Sequence, residues 1–366
     1  MKTNNNDVEQ EPTSFLEASK RSQVIWEKIP KYPNRYKILT GERPTGPLHI
    51  GHLFGTIANR VHMQDIGATI FIVIADYQIL TDRNTADVVD TNVQEMMLDY
   101  LASGLDPNTG RTFFFVHSHI PELNQLLLPF MSLVTTAELN RNPTVKEEIK
   151  TAGLTCVNAL MYTYPIHQAA DILFCKGNVV PVGRDQLPHL ELTRKIARRF
   201  NERFAKKEAI FPIPDALLSD MPLVLGTDGQ KMSKSRHNTI MLKMTADETA
   251  NIIRGAKTDS NRNISYDPQT RPEISNFLQL ISMCTGEKIT SIADRISGGG
   301  SGKLKAELTA AINDYLAPIR ERRTHFAQNP DYVTEVLRRG VTTAREEGIK
   351  TLKEVRKVMN MDYKLG

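Results

Sequence analysis

The sequence predicts an α/β protein in which a doubly wound parallel sheet is followed by an all-helical domain. Residues 69–75, Thr-Ile-Phe-Ile-Val-Ile-Ala, form an almost continuous apolar run, which is typical of a parallel strand buried on both faces. Strand-like and helix-like stretches alternate up to about residue 240, and from about residue 241 the apolar residues follow only a helical period. The alternation indicates right-handed crossovers within one sheet, and the change of pattern indicates a second domain.

The elements of the sheet domain can be assigned in chain order. The first strand is predicted around Ile38, and a turn rich in Gly and Pro connects it to a helix from about Gly51 to Ile66. The buried run described above is the second strand, and the helix from Asp87 to Ala102 follows it. A third strand is predicted at residues 111–117. Since ligands of such sheets bind beyond the carboxyl ends of the strands, the turn after the first strand is expected at the site.

Three segments are predicted: an extension at residues 1–35, a sheet domain with a helical insertion at residues 36–240, and a helical domain at residues 241–366. The net charge of +4 lies entirely in the last segment, which holds 20 basic and 16 acidic residues. Clusters such as Arg320-Glu-Arg-Arg323 and Arg338-Arg339 are candidates for phosphate-backbone contacts, and a solvated helix face explains them equally well.

The composition excludes several classes of protein. With 366 residues, 40% hydrophobic and 24% charged, the chain is typical of globular proteins, and no apolar run approaches the roughly 20 residues that cross a bilayer. The polar N-terminus has no secretory signal pattern. Cys156 and Cys175 lie among apolar residues and are expected to be buried. A reducing cytoplasm is the expected location.

Two short motifs carry chemistry. His49-Ile-Gly-His52 stands where a helix begins, so that helix N–H groups and two imidazoles could face a phosphate. Lys231-Met-Ser-Lys-Ser235 follows the glycine-rich stretch Gly226–Gly229, and its two lysines could neutralise the outer phosphates of a triphosphate. Together the motifs indicate that the chain holds a nucleoside triphosphate from two sides.

The two motifs, in this order, resemble those of the class I aminoacyl-tRNA synthetases, which have a Rossmann-like fold. The resemblance implies that an amino-acid carboxylate attacks the α-phosphorus of ATP, with Mg²⁺ on the triphosphate, and that the acyl group then passes to tRNA. His49, His52, Lys231 and Lys234 are the expected catalytic residues. The expected ATP-binding residues are Arg43, Thr45, Gly51, His52, Gly183, Asp185, Lys231, Met232, Ser233, Lys234 and Ser235.

Three further segments narrow the resemblance to the tryptophanyl-tRNA synthetases. These are Tyr164-Pro-Ile-His-Gln-Ala-Ala-Asp-Ile172, Val180-Pro-Val-Gly-Arg-Asp-Gln186 and His189-Leu-Glu-Leu-Thr-Arg194, and the similarity continues to the C-terminus. The resemblance implies L-tryptophan and tRNA(Trp) as substrates and a homodimer as the assembly. The residues expected to bind tryptophan are Leu39, Gly41, Tyr164, Gln168, Asp171, Ile172, Val182 and Gln186.

Asp171 is the most informative residue of this pocket. Tyr164, Gln168 and Asp171 are spaced i, i+4 and i+7 on one helical face, and Asp171 stands in an apolar neighbourhood where a bare carboxylate is costly. It therefore requires a partner, which is either a group within the protein or, by resemblance, the indole N–H of the substrate.

Tyrosine is the competing substrate, because Gln168 and Asp171 together could satisfy a phenol. Many bacterial tryptophanyl enzymes have Met at the position of Gln168, Asn at that of His52 and Gln at that of Arg43. In contrast, Leu39 stands where tyrosyl enzymes usually have a phenol-binding Tyr, which favours tryptophan. A synthetase-like RNA-binding protein without catalysis and a small-molecule adenylyltransferase are the remaining hypotheses.

Overall fold

The computed structural model describes residues 13–82, 86–151, 153, 156–218 and 224–363, except for the side chains of Thr13, Ser14 and Ser235. In these residues, five parallel strands form one sheet in the order β3-β2-β1-β4-β5. The strands are β1 (Lys37–Glu42), β2 (Thr69–Ile74), β3 (Thr112–Val116), β4 (Val179–Pro181) and β5 (Asp215–Leu217). The chain extends the sheet in one direction from β1 to β3 and in the other from β4 to β5, which confirms the doubly wound sheet. The switch point lies between β1 and β4.

Helices connect the strands and form much of the rest of the described chain. They are α1 (Thr13–Lys28), α2 (Ile50–His52), α3 (Ala58–Asp65), α4 (Val89–Ala102), α5 (Pro121–Met131), α6 (Thr136–Asn140), α7 (Pro143–Thr151), α8 (Ala159–Leu173), α9 (Leu187–Phe204), α10 (Ala246–Gly255), α11 (Pro272–Thr285), α12 (Ile289–Ile296), α13 (Gly300–Ala327) and α14 (Pro330–Val358). A π-helical turn, Leu53–Ile57, joins α2 to α3, so the predicted helix is present with an irregular first half.

The sheet has one apolar core on each face. Along β2, Ile70 and Ile72 point into one core, and Phe71 and Val73 point into the other. This two-sided burial is the reason for the continuous apolar run in the sequence. The short strands β4 and β5 were not predicted, because three residues carry no readable period and β4 contains Pro181.

The predicted helical pattern after residue 241 is confirmed, since the described part of this region contains α10 to α14 and no sheet strand. The last helix returns to the sheet, where Gly340 of α14 lies against Phe114 of β3. A Cβ atom on Gly340 would stand 1.9 Å from the Phe114 carbonyl oxygen, so only glycine permits this approach. The helical region thereby covers an edge of the sheet.

The arginines of the 320–323 cluster make contacts within the protein. Arg322 donates to the carbonyl oxygen of Ala102, and Arg323 donates to Asp99 and Glu95 of α4. Arg320 donates to Asn313 and Thr249. The cluster therefore attaches α13 to its neighbours, a structural role that is neither of the two readings given above.

Cys156 and Cys175 differ in their exposure. Cys175 is fully buried as predicted, whereas Cys156 is exposed; the prediction for Cys156 was wrong because the residue lies in the connection before α8, outside the apolar helix. No helix among the described residues is long and apolar enough to cross a membrane. Trp26 of α1 donates to the Leu218 carbonyl oxygen beside β5, which places α1 on the body of the protein.

Candidate active site

A cavity of about 520 Å³ opens beyond the carboxyl ends of β1 and β4, at the switch point of the sheet. The structure thus supports the prediction of a site in this place. The predicted site residues that line it are Leu39, Gly41, Arg43, His52, Tyr164, Gln168, Asp171, Ile172, Val182, Gly183, Asp185, Gln186 and Lys231. The other predicted residues, His49, Gly51, Thr45, Met232, Ser233 and Lys234, lie outside this lining, and the side chain of Ser235 lies outside the described residues.

The two histidines of the first motif stand together at the start of α2. Their ring centroids are 3.8 Å apart, and the main-chain N–H of His49 donates to Nδ1 of His52 at 3.3 Å. Because Nδ1 of His52 accepts, its Nε2 carries the proton and can donate to a ligand. Burial, with the nearby charge of Lys234, lowers the pKa of His49 to about 2 and that of His52 to about 4. Both rings are therefore neutral near pH 7.

The second motif closes over the turn that precedes the first. Lys234 Nζ donates to the main-chain oxygen of Gly46 at 2.6 Å and lies 3.3 Å from Thr45 Oγ1. The side chain of Asn238 holds the loop, since its Oδ1 accepts from the Ser233 main chain and its Nδ2 donates to the Lys231 main chain. Lys231 is exposed and lines the cavity. The fold thus brings the two lysines to the side of the cavity on which the histidines stand.

An ion pair in the cavity wall was not predicted from the sequence. Arg60 of α3 is fully buried and donates from Nη1 to Glu42 Oε2 at 2.9 Å, while the Tyr100 hydroxyl also donates to Glu42. Burial alone would raise the pKa of Glu42, but the charge and hydrogen bonds of Arg60 lower it to about 2. A buried ionised pair at a ligand cavity holds the end of β1 in position, and its charges contribute to the electrostatic potential in the cavity. No local sequence signal links these residues.

The amino-acid end of the cavity is built on α8. Tyr164 donates to Glu148 Oε2 at 2.6 Å and its oxygen lies 2.9 Å from His189 Nε2, so the hydroxyl is anchored within the protein. Burial, followed by the neighbouring Glu148, raises the pKa of Tyr164. Gln168 lies one turn further along the same face and also lines the cavity. The predicted common face of Tyr164, Gln168 and Asp171 is therefore present.

Asp171 has a partner within the protein and a second oxygen without one. Its side chain is 2% exposed, and its Oδ2 lies 3.0 Å from Nε2 of His117, the residue that follows β3. Its other oxygen, Oδ1, is buried and has no hydrogen-bond partner in the described structure. Because Asp171 also lines the cavity, an N–H donor of a ligand could satisfy this oxygen.

The packing of two neighbouring strands explains why position 41 is a glycine, without reference to any ligand. A Cβ atom there would stand 1.9 Å from the Val73 carbonyl oxygen, so the approach of β1 to β2 requires glycine. Arg43, which also lines the cavity, donates to Thr81 Oγ1 and to Asp82 Oδ2. These two hydrogen bonds hold its guanidinium at the cavity.

Comparisons with known proteins show the family to which this chain belongs. The family model described as tRNA synthetases class I (W and Y) matches residues 31–317. A tryptophan–tRNA ligase of Clostridium longisporum is 40% identical over 89% of this chain and 97% of its own length. One of Streptococcus agalactiae is 39% identical over 89% of this chain and 98% of its own length. The crystal structure of the Campylobacter jejuni tryptophanyl-tRNA synthetase complexed with ADP and tryptophan aligns with a TM-score of 0.77. It is 28% identical to this chain and covers 88% of it and 99% of its own chain.

A doubly wound sheet with a cavity at its switch point, flanked by the two motifs, is the arrangement of an ATP-dependent class I aminoacyl-tRNA synthetase, the class that the matched family model identifies. Within that class, the chain belongs to the tryptophanyl-tRNA synthetase family, as the matched family model and the identity to its members establish.

Proposed function

We propose that this chain is a tryptophan–tRNA ligase, which activates L-tryptophan with ATP and transfers it to tRNA(Trp). In the first step a carboxylate oxygen of tryptophan bonds to the α-phosphorus of ATP and the bond to pyrophosphate breaks. In the second step a terminal ribose hydroxyl of the tRNA attacks the acyl carbon, and AMP leaves. The observation that carries the proposal is the buried Asp171 on the cavity wall, one oxygen of which has no partner.

The nucleotide end of the site would act through position and charge. His52 would donate from Nε2 to a phosphate oxygen, and His49 at the start of α2 would help place the same group. Lys231 and Lys234 would stabilise the negative charge that develops on pyrophosphate as it leaves. Lys234 would do so by exchanging its contact with Gly46 for one with the triphosphate. Met232, Ser233 and Ser235 would contribute through the shape of the loop.

The ribose and base would lie nearer β4. Gly183 and Asp185 line the cavity just beyond this strand, and they are the residues proposed for the ribose. Arg43 and Thr45 of the turn after β1, with Gly51 of α2, complete the proposed ATP contacts. Mg²⁺ would enter with the triphosphate, since Glu42, a carboxylate of this cavity, is already paired with Arg60.

The amino-acid end would recognise the indole ring. Asp171 Oδ1 would accept from the indole N–H, while Leu39, Ile172 and Val182 provide apolar wall. Tyr164, Gln168 and Gln186 would hold the α-amino group or close the pocket. The side chain of phenylalanine has no N–H and would leave Asp171 Oδ1 unpaired, so the site should reject phenylalanine without editing.

The proposal extends to the tRNA and to the assembly. The region from residue 241 onward is proposed as the anticodon-binding domain, with the sheet domain at residues 36–240 and the extension at residues 1–35. Exposed Lys146 and Lys150 near the cavity are candidates for contact with the acceptor end. A homodimer in the cytoplasm is proposed, and the apolar run Leu126–Leu133, in which Leu128 is 73% exposed, is the candidate interface.

Exchange of pyrophosphate into ATP, with each amino acid supplied singly, tests the activation step. We expect exchange with tryptophan and none with tyrosine or phenylalanine. Exchange with tyrosine alone would mean that Gln168 and Asp171 bind a phenol, and the pocket assignment would be wrong. The absence of exchange with every amino acid would favour a synthetase-like RNA-binding protein.

A further inference from the structure

We propose that His117, His167 and Asp171 form a binding site for a divalent transition-metal ion of the Zn²⁺ type, directly behind the wall of the amino-acid cavity. Two imidazoles and a carboxylate are a ligand set that Zn²⁺ and its neighbours prefer. One potential ligand atom from each residue lies within 4.8 Å of the other two. The site holds no residue of the nucleotide-binding motifs.

The fold places the three side chains as a chelate. His167 and Asp171 are separated by four residues on α8, so they project from the same face of the helix. His117 enters from the carboxyl end of β3, and its Nε2 is already 3.0 Å from Asp171 Oδ2. Ligand atoms around a tetrahedral Zn²⁺ are about 3.4 Å apart, given bonds of about 2.1 Å. The two ligand atoms that are farthest apart would therefore have to approach each other by at most about 1.4 Å, which a side-chain adjustment can supply.

Burial leaves polar atoms of this cluster without partners. His117, His167 and Asp171 are 0%, 4% and 2% exposed, respectively. His117 Nδ1, His167 Nε2 and Asp171 Oδ1 have no hydrogen-bond partner among the described residues. Orphaned polar atoms in a protein interior cost about 1–3 kcal/mol each. Asp171 Oδ1 is the oxygen proposed for the indole N–H, so the two imidazole nitrogens are the atoms that call for a further explanation. A bound cation would satisfy imidazole nitrogen lone pairs that the protein itself leaves unused.

The electrostatics of the surroundings suit a cation. The carboxylate of Asp76 adds negative potential from the turn after β2, and the Tyr77 ring packs beside both imidazoles. With Asp171 as a ligand, the charge of one dication would be largely balanced.

A metal here would orient the proposed recognition group. One carboxylate oxygen of Asp171 would face the ion and the other the cavity, which would hold the acceptor for the indole N–H in place. This consequence rests on the proposed function, whereas metal binding itself does not. Metal binding at this cluster and recognition of tryptophan by Asp171 can therefore be refuted independently of each other.

The test is a titration of the chelator-stripped full chain with Zn²⁺ or Co²⁺ alone, with no substrate present. We expect one ion per chain by mass spectrometry of the metal content, and a tetrahedral-type Co²⁺ spectrum. His117→Gln, which keeps a hydrogen-bond donor for Asp171, and His167→Leu should each weaken binding at least about ten-fold. His119→Gln is the matched control, because His119 is exposed on the same turn as His117.

Two outcomes would overturn the site. One is the absence of stoichiometric binding to the unaltered chain at micromolar free metal, which would make the cluster a hydrogen-bonded group only. The other is equal binding by the unaltered chain and by a folded His117→Gln variant, which would place the ion elsewhere, for example at His49 and His52. Thermal unfolding of each variant shows whether it is folded.

Discussion

Lys234 Nζ donates to the main-chain oxygen of Gly46 at 2.6 Å, although the two residues are 188 positions apart in the chain. The contact joins the second motif to the turn that leads into the first. It also holds the lysine close to the place proposed for the outer phosphates of ATP. A ligand that attracts Lys234 away from Gly46 would leave the loop in position around the nucleotide.

The first prediction concerns the motif lysines. Lys234→Ala and Lys231→Ala should each lower the rate of tryptophan-dependent pyrophosphate exchange by about 100-fold or more, because a positioned charge on the leaving group is lost. Steady-state exchange kinetics measure this effect. The exposed Lys206 after α9 offers the control Lys206→Ala, which should retain the full rate. Equal rates in all three variants would contradict the assignment.

The second prediction concerns Asp171. Asp171→Asn should raise the KM for tryptophan about 10- to 100-fold, because the charged acceptor of the indole N–H is lost. The KM for ATP should change less than about three-fold, since the nucleotide end is elsewhere in the cavity. Exchange kinetics with each substrate varied in turn measure both values. A proportional rise in the two values would indicate general damage to the site instead of a role in recognition.

The sequence alone predicts the parts of this protein that have a local cause. The buried run of β2 follows from its position at the centre of the sheet, and the face shared by Tyr164, Gln168 and Asp171 follows from helical spacing. The two motifs predicted a site beyond the carboxyl ends of the strands, which is where the cavity lies.

Pairings between distant segments could not be predicted in the same way. Glu42 meets Arg60 and Tyr100, and His117 meets Asp171, only because the fold brings five separate segments together. Nothing in the spacing of these residues indicates a contact. The same reason applies to Arg323, which the sequence presents as part of a basic cluster and the fold attaches to Asp99.

The third prediction concerns the Glu42–Arg60 pair. Arg60→Met should destabilise the protein by about 3–5 kcal/mol, because it leaves a charge in a largely buried place. The double variant Glu42→Gln/Arg60→Met should recover part of this loss. Chemical denaturation at pH 7 measures both differences. A single variant as stable as the unaltered chain would contradict the buried pair.

The same pair has a defined pH signature. The pKa of Glu42 is about 2 in the folded chain and near 4.5 when unfolded, so its contribution to stability is complete above about pH 4.5. This contribution is lost progressively as the pH falls toward 2. Between pH 5 and 3, the free energy of unfolding should therefore fall more steeply with decreasing pH for the unaltered chain than for Arg60→Met. Parallel curves would show that Glu42 is not held ionised by Arg60.

The fourth prediction compares a buried and an exposed ion pair of the helical region. Arg323 Nε lies 2.7 Å from Asp99 Oδ1, and Asp99 Oδ2 accepts from the main chain of Leu48, next to His49. Arg323→Met should lower the thermal midpoint by several degrees, because fully buried Asp99 loses its charged partner, and should also slow exchange. Arg338 pairs with Glu335 on the surface, so Arg338→Met should change stability by less than about 0.5 kcal/mol. Equal effects of the two variants would contradict the proposed link between α13 and the first motif.

Charging of tRNA tests the central claim most directly. The full chain is incubated with ATP, Mg²⁺, unfractionated bacterial tRNA and one radiolabelled amino acid at a time, and acid-precipitable label is counted. We expect tryptophan to be attached to tRNA, and we expect no attachment of tyrosine or phenylalanine. Attachment of tyrosine, or the absence of any attachment by a chain that still binds ATP, would contradict it.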